Sequence, residues 1–194
     1  MREFFIEDGN QARLIAFAET VRAWTQVREA VVGAGNCTIL FEPAAFAGHD
    51  ADAAFADAWN GARDAHVATR VLEVPVSYDG EDLTAVAHAC GLTPDAVVEL
   101  HSGAAYRVAF IGFQPGFAYL DGLDARLHLP RRADPRSRVP AGSVAIAGAQ
   151  SAVYPFASPG GWHLLGTTTM RMFDPQRTSA SLLQPGDAVR FIPL

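Results

Sequence analysis

Short apolar segments separated by turn residues fill the C-terminal part of the sequence and constrain its fold more than any other feature. One of the turns, Gln184-Pro185-Gly186-Asp187, places proline and glycine as a type II turn requires. Many short strands between regular turns are typical of a β-barrel or a β-sandwich. The predicted strands are 107–113, 143–148, 152–156, 161–166, 169–173 and 188–193.

The N-terminal part predicts a smaller α+β domain. Asp8-Gly9-Asn10 lies between two short apolar runs, 4–7 and 12–17, and is a hairpin signal because glycine and asparagine tolerate positive φ. A helix is predicted over 51–68, because Phe55, Trp59, Ala62 and His66 fall on one stripe. The remaining predicted strands are 27–32, 37–42 and 71–76.

A change in composition at 77–80 predicts the domain boundary, which gives domains 1–77 and 78–194. The second domain opens with two predicted helices. Residues 83–90 have helical apolar spacing, and Gly91 is the expected C′ residue. Thr93-Pro94 has the pattern of an N-cap followed by proline at N1.

The charged residues exclude several kinds of function. The chain has 15 basic and 21 acidic residues and a net charge of −6, which argues against a general nucleic-acid-binding protein. All the basic residues are arginine, so neither a Walker A lysine nor a Schiff-base lysine can be formed. If ATP is used, a partner chain binds it or an arginine replaces the usual lysine.

Other patterns give expectations about location and metals. No apolar run approaches the roughly 20 residues that span a bilayer, and the N-terminus has no signal-peptide pattern. The two cysteines, Cys37 and Cys90, do not form a disulfide framework, so we expect a cytoplasmic protein that does not act at a membrane. The histidines show no HxxxH spacing, and we expect no metal site.

The stretch 112–120, GFQPGFAYL, is the first candidate for a binding site. Its glycines and proline hold a loop in which Phe113 and Phe117 could form the wall of a pocket, and Gln114 could orient an amide. The alternative is a β-turn whose aromatic side chains only fill the core.

The second candidate is the segment 126–138, which carries five arginines against one aspartate, a local charge of +4. Guanidinium groups match carboxylate and phosphate oxygens bidentately, so Arg132, Arg136 and Arg138 are candidate anion ligands. The alternative is a solvated loop, or arginines that pair with acidic residues of this fold or of a partner.

The third candidate is the stretch 147–163, which combines an amide, hydroxyls, an imidazole and glycines. His163 could act as a general base, although a histidine in an apolar strand is also a common hydrogen-bonded core residue. Backbone N–H groups at Gly160 and Gly161 could bind an anion. The remaining candidates are Gln150, Tyr154 and Ser158 as polar contacts and Trp162 as a wall of the pocket.

Residues 112–166 closely resemble the allophanate hydrolase subunit 1 family, and the resemblance continues through Phe173-Asp174-Pro175 to the C-terminus. Members of that family include the 5-oxoprolinase subunit designated B, the sporulation-kinase inhibitor KipI and a segment of the carboxyltransferase region of urea carboxylase. The resemblance implies an α+β N-terminal domain of ferredoxin-like layout, followed by an all-β cyclophilin-like barrel. The N-terminal domain is shortened here, because the family's helix before strand 27–32 is reduced to about 19–26.

The resemblance also implies two further chains. One is a C-type partner, meaning a homologue of the 5-oxoprolinase subunit designated C or of allophanate hydrolase subunit 2. The other is an A-type partner, the third chain of the 5-oxoprolinase system. Together these chains would complete an enzyme that the present chain forms only in part.

The resemblance further implies an ATP-dependent amidohydrolase complex that opens 5-oxoproline to glutamate, with ATP and Mg bound by the complex and not necessarily by this chain. In this interpretation His163, Tyr154 and Gln150 are catalytic or orient the lactam, and the arginines hold a carboxylate or a phosphorylated intermediate. The chain alone is expected to be inactive. The alternatives are a KipI-like kinase inhibitor and a carboxyltransferase-type subunit that acts on urea, allophanate or another amide.

Overall fold

The computed structural model describes residues 2–46, 50–62 and 70–194. The chain divides into two compact units, Met1–Ala68 and Thr69–Leu194. The sequence predicted a boundary after residue 77. The structure assigns 71–76 to the second unit, because this strand pairs along its whole length with the C-terminal strand. In the described residues, no helix is both long and apolar enough to cross a membrane.

The first unit is an antiparallel sheet packed against helices. Its strands are β1 (Arg2–Glu7), β2 (Val27–Val32) and β3 (Asn36–Phe41), in the order β1-β3-β2. The helices are α1 (Gln11–Arg22) and α2 (Ala51–Gly61), and a short 3₁₀ helix covers Pro43–Phe46. Phe17, Phe41 and Phe55 are fully buried between sheet and helices, so aromatic burial supplies much of this core.

Two predictions for the first unit were wrong. Residues 12–17 are helical, because the side chain of Asn10 accepts the backbone N–H of Arg13 and caps α1. The helix predicted over 19–26 instead begins at Gln11 and ends at Arg22, so it is longer than predicted and starts earlier. The second predicted helix is observed as α2, and its predicted continuation, including His66, lies outside the described residues. A ferredoxin-like layout needs a further strand after the second helix, and this detail stays a prediction.

The second unit is built on a sheet that closes almost completely into a barrel. The strands are β4 (Val71–Val76), β5 (Tyr106–Ile111), β6 (Ala118–Asp121), β8 (Ser143–Ala147), β9 (Gln150–Val153), β11 (His163–Thr167) and β12 (Ala188–Pro193). Their order in the sheet is β11-β8-β9-β6-β5-β12-β4. Backbone hydrogen bonds between Ser77 and Thr167 join the ends of the first and last strands of that order.

The barrel is supplemented by two helices and a small two-stranded sheet. The helices are α3 (Leu83–Cys90) and α4 (Pro94–Gly103), and the two predicted caps are observed: Gly91 is left-handed after α3, and the Thr93 side chain caps the start of α4. Strands β7 (Arg136–Val139) and β10 (Ser158–Gly160) form a separate antiparallel pair. The sequence predicted neither β7 nor β10. The strand predicted at 169–173 is absent from this described segment, where only Phe173 forms an isolated bridge.

A buried histidine links α4 to the barrel. The side chain of His101 is fully buried, with Nδ1 2.8 Å from the Tyr78 hydroxyl and Nε2 2.8 Å from the Ser151 hydroxyl. Ser151 donates its own proton to the carbonyl of Ala145. It therefore accepts from Nε2, and Tyr78 donates to Nδ1, which fixes a neutral imidazole. Burial lowers the pKa of His101 to about 3, so the ring is structural and uncharged near neutral pH.

Candidate functional site

Five aromatic rings line a pocket of about 90 Å³ in the second unit. Phe117 lies at its centre and makes edge contacts with the other four rings, at centroid distances of 5.0–5.6 Å. These four are Phe113, Tyr119, Tyr154 and Trp162. The structure thus brings together Phe113, Phe117 and Trp162, the residues that the sequence indicated as pocket walls from two separate stretches.

The rim of this aromatic pocket is formed by Phe113, whose backbone is left-handed with φ 64°. For a bulky residue, the left-handed conformation costs about 1–2 kcal/mol relative to a right-handed or extended one. The side chain is nevertheless 61 % exposed. The neighbouring Gln114 has a buried amide nitrogen for which the described part of the chain supplies no partner. The loop therefore holds an exposed ring and an available donor in a strained geometry.

An open groove of about 400 Å³ adjoins the aromatic pocket and shares Arg131 and Trp162 with it. Gln150 and Asp121 lie in this polar groove. The Gln150 amide nitrogen donates to Asp121 over 2.8 Å. This bond fixes the orientation of the amide and leaves the Gln150 carbonyl oxygen to accept from a ligand.

Two of the predicted anion ligands, Arg132 and Arg136, are paired with acidic residues of the same fold. Asp82, which is only 4 % exposed, accepts from Arg132 at 2.9 Å and from Arg136 at 2.8 Å. Its second oxygen accepts the backbone N–H of Leu164 at 2.7 Å. Arg136 also contacts the exposed Glu81. These contacts are those of the structural alternative, and an anion-binding role for Arg132 and Arg136 stays a prediction.

The electrostatics of this Asp82 network show a stably ionised carboxylate. Burial alone would raise the pKa of Asp82. The hydrogen bonds from Arg136 and Leu164, with the charges of Arg136 and Arg132, outweigh this effect and hold the pKa below its usual value. Asp82 therefore remains charged at neutral pH and ties the arginine loop to β11.

The polar candidates near the glycine turn have largely structural contacts. His163 donates from Nε2 to the carbonyl of Pro130 over 2.9 Å. Gly160 lies directly against the Tyr154 hydroxyl, so any side chain there would overlap the phenol. Burial raises the pKa of Tyr154, although a backbone hydrogen bond from Trp162 and the charge of Arg131 oppose that shift. The catalytic roles predicted for His163 and Tyr154 stay predictions.

The other predicted contacts are distributed around this region. Gly161 lines the aromatic pocket, and its carbonyl accepts the backbone N–H of Arg132 at 2.7 Å. Ser158 pairs with Val139 in the two-stranded sheet of β7 and β10, and its buried hydroxyl has no partner among the described residues. Arg138 is exposed and forms no ion pair within the described ranges.

Sequence reasoning missed two residues, Arg131 and Asp121. Arg131 was counted in the basic segment but not selected, because a count of charges does not distinguish adjacent arginines. In the structure Arg132 pairs with Asp82, whereas Arg131 lines both cavities. Asp121 gave no signal, because only the register of β6 with β9 places it opposite Gln150.

Comparison with known proteins places the whole chain in one family. Residues 3–183 match the family "Carboxyltransferase domain, subdomain C and D". The chain is 45 % identical over 187 residues to the 5-oxoprolinase subunit designated B of Escherichia coli O157:H7, covering 95 % of this chain and 86 % of that protein. It is 41 % identical over 191 residues to the protein of the same name from Haemophilus influenzae, covering 94 % and 86 %.

Solved structures show the same unit within longer polypeptides. TTHA0988 superposes with a TM-score of 0.87 at 39 % identity, and the match covers all of this chain but only 40 % of that one. Urea carboxylase of Kluyveromyces lactis superposes with a TM-score of 0.67 at 18 % identity, covering all of this chain and 21 % of that one, which shows a shared fold. The chain is therefore a member of the carboxyltransferase domain family, subdomain C and D, and is similar to proteins named as a subunit of 5-oxoprolinase.

Proposed function

We propose that this chain is the lactam-binding subunit of a 5-oxoprolinase-type hydrolase, which opens 5-oxoproline to glutamate together with the C-type and A-type partners. The observation that carries this proposal is the 45 % identity, over 95 % of the chain, to a protein named as a subunit of that enzyme. The word subunit in that name implies further chains in that enzyme. The match covers only 40 % of the TTHA0988 chain, which is consistent with a unit that works beside another domain.

The polar groove offers groups that suit a cyclic amide. A lactam has one N–H donor, and the Gln150 carbonyl oxygen is an acceptor held in place by Asp121. The aromatic pocket offers ring edges and faces to the apolar carbons of a small ring. In this arrangement Gln150 orients the amide bond while the aromatic rings exclude water from one side of it.

The size of the aromatic pocket limits what enters it. A cavity of about 150 Å³ accommodates benzene, and the pocket of about 90 Å³ is smaller. It therefore admits the edge of a small ring, with the rest of the ligand in the groove. Adenine is larger than benzene, so this pocket does not fit ATP. We assign ATP and Mg to the partner chains, and no step here involves them.

The test is kinetic and uses the assembled complex. The chain is co-expressed with the C-type and A-type partners of its own organism, and 5-oxoproline-dependent ADP release is measured. We expect Gln150→Ala to lower kcat/KM by roughly 10-fold or more, the loss typical of one hydrogen bond to a substrate. Gln176→Ala is the matched control, because Gln176 is exposed and its side chain has no hydrogen bond in the described structure.

The outcomes separate the alternatives. Equal rates for Gln150→Ala and Gln176→Ala would remove Gln150 from the site. A complex that ignores 5-oxoproline but turns over urea or another amide, with dependence on biotin and bicarbonate, would favour a carboxyltransferase-type subunit. Recovery of a histidine kinase instead of a C-type partner in a pull-down would favour a kinase inhibitor.

A further inference from the structure

Arg131 lies where the aromatic pocket and the polar groove meet, since it lines both. Its neighbours in sequence are fixed by hydrogen bonds on both sides. These bonds join the Leu129 carbonyl to Gly148 N at 2.7 Å, the Pro130 carbonyl to His163 Nε2 at 2.9 Å and Arg132 N to the Gly161 carbonyl at 2.7 Å. The backbone of Arg131 is therefore held rigidly at the junction.

The side chain of Arg131 differs from those of the neighbouring arginines. Arg126 pairs with Asp124, and Arg132 and Arg136 pair with Asp82. Arg131 is exposed and forms no ion pair or side-chain hydrogen bond with any part of the chain that the structure describes. Arg131 lines the aromatic pocket together with the buried Tyr154, and its positive charge acts to lower the pKa of that phenol.

A fixed backbone that presents an unpaired guanidinium is the arrangement expected of an anion-binding residue. Holding the main chain in advance reduces the entropy lost when a ligand binds. The guanidinium fork matches the two oxygens of a carboxylate, and charge-assisted pairs of this kind are stronger than neutral hydrogen bonds. The ligand must also be small, because an aromatic wall lies on one side and the Gln150–Asp121 pair in the groove on the other.

We propose that Arg131 binds the carboxylate of a small cyclic amide and so selects carboxylated lactams over neutral ones. This assignment rests on the proposed function, in which the Gln150 carbonyl oxygen accepts the N–H of the lactam. Arg132 and Arg136 position the loop through Asp82, and His163 is a positioning residue that acts through the Pro130 carbonyl. The carboxylate, the amide and the ring edge then each face a different part of the site.

The experiment compares two lactams in the assembled complex. 5-Oxoproline carries a carboxylate, and 2-pyrrolidinone is the same ring without it. For Arg131→Gln we expect the KM for 5-oxoproline to rise roughly 10- to 150-fold, the range for losing a charge-assisted hydrogen bond. We expect kcat to change by less than about threefold, and the preference for 5-oxoproline over 2-pyrrolidinone to fall by the same factor as KM rises.

Arg190→Gln is the charge-matched control, because Arg190 is an exposed arginine of β12 with no ion pair among the described residues. Arg131→Gln kinetics equal to those of Arg190→Gln would overturn the assignment. A fall in kcat that is the same for both lactams would also overturn it, since Arg131 would then act on a phosphorylated intermediate instead of the substrate carboxylate.

A complex without 5-oxoproline-dependent turnover would refute the proposed function but would not decide the role of Arg131. In that case the probe is pyrrole-2-carboxylate, titrated into the complex while the indole N–H resonance of Trp162 is followed by NMR. A shift in the wild-type complex that is lost in Arg131→Gln supports the assignment. No shift, or an equal shift in both, overturns it.

Discussion

The buried carboxylate of Asp82 gives the sharpest stability prediction, because Arg136 contacts one buried and one exposed acidic residue at the same time. Asp82 has a side chain that is 5 % exposed, and Glu81 has one that is 72 % exposed. The two N–O distances are similar, 2.8 Å and 3.1 Å. The two pairs therefore differ in burial, and in the two further bonds that Asp82 accepts from Arg132 and from the backbone N–H of Leu164.

The magnitudes follow from that difference. Removing one partner of a buried ion pair costs about 3–5 kcal/mol, because the remaining charge is left uncompensated. The Arg132 side chain is 32 % exposed and that of Arg136 is 16 % exposed, so water compensates part of this cost. We expect Asp82→Asn to lower the free energy of unfolding of the second unit by about 3 kcal/mol. Glu81→Gln should lower it by less than about 1 kcal/mol, as for exposed pairs.

The assay is urea unfolding at pH 7, where the lowered pKa of Asp82 keeps it fully ionised. Trp162 emission reports on the second unit when Trp24 and Trp59 of the first unit are replaced by phenylalanine. With a urea m-value of about 2 kcal/mol/M, a loss of 3 kcal/mol lowers the midpoint by about 1.5 M. Similar midpoint shifts for Asp82→Asn and Glu81→Gln would refute the reasoning that burial decides the strength of this network.

Two further predictions concern the barrel and the glycine turn. Burial lowers the pKa of His101 from the ordinary 6.5 to about 3. Between pH 6.5 and pH 3 this imidazole therefore takes up a proton only in the unfolded chain. Lowering the pH from 7 to 5 should destabilise the wild type by about 2 kcal/mol more than His101→Gln. Equal losses in urea unfolding at the two pH values would contradict this. Gly160→Ala should cost about 1–3 kcal/mol, because the added methyl overlaps the Tyr154 hydroxyl. In Gly161→Ala the added methyl would lie 3.7 Å from its nearest neighbours, so the unfolding midpoint should change little. Equal midpoint shifts for Gly160→Ala and Gly161→Ala would contradict this prediction.

Local signals predicted the elements of the fold that depend on local interactions. Strands 27–32, 71–76 and 188–193 have the predicted bounds. The C-terminal end of α3 and the N-terminal end of α4 were predicted because capping needs only a glycine in a left-handed conformation or a side chain three residues from its partner.

The misassigned helix α1 shows where a local signal has two meanings. Asn10 tolerates a turn and also caps a helix, so Asp8-Gly9-Asn10 alone decides neither. The apolar residues that follow it, Leu14, Ile15, Phe17, Ala18 and Val21, are buried with helical spacing. That period was the stronger signal, because it extends over about two turns of helix.

The candidate site was predictable only in its aromatic part. Phe113 and Phe117 are only four positions apart in sequence. The glycine-rich stretches 112–120 and 147–163 were enough to indicate a pocket wall. The pairing of Arg132 with Asp82 joins residues 50 positions apart, and no spacing rule relates them. A count of charges in one segment therefore could not show which arginines the fold itself neutralises.

The arginine segment gives a general criterion for such a case. Its local charge of +4 suggested one extended anion site, yet three of its five arginines have acidic partners within the same unit. Of the remaining two, Arg131 lines both cavities and has neighbours held by backbone hydrogen bonds, whereas Arg138 is exposed and lines neither the aromatic pocket nor the polar groove. Charge density alone fits a structural network and a binding site equally well. An unpaired guanidinium on a fixed backbone beside a cavity favours the second, because a backbone that is ordered in advance reduces the entropy lost when a ligand binds.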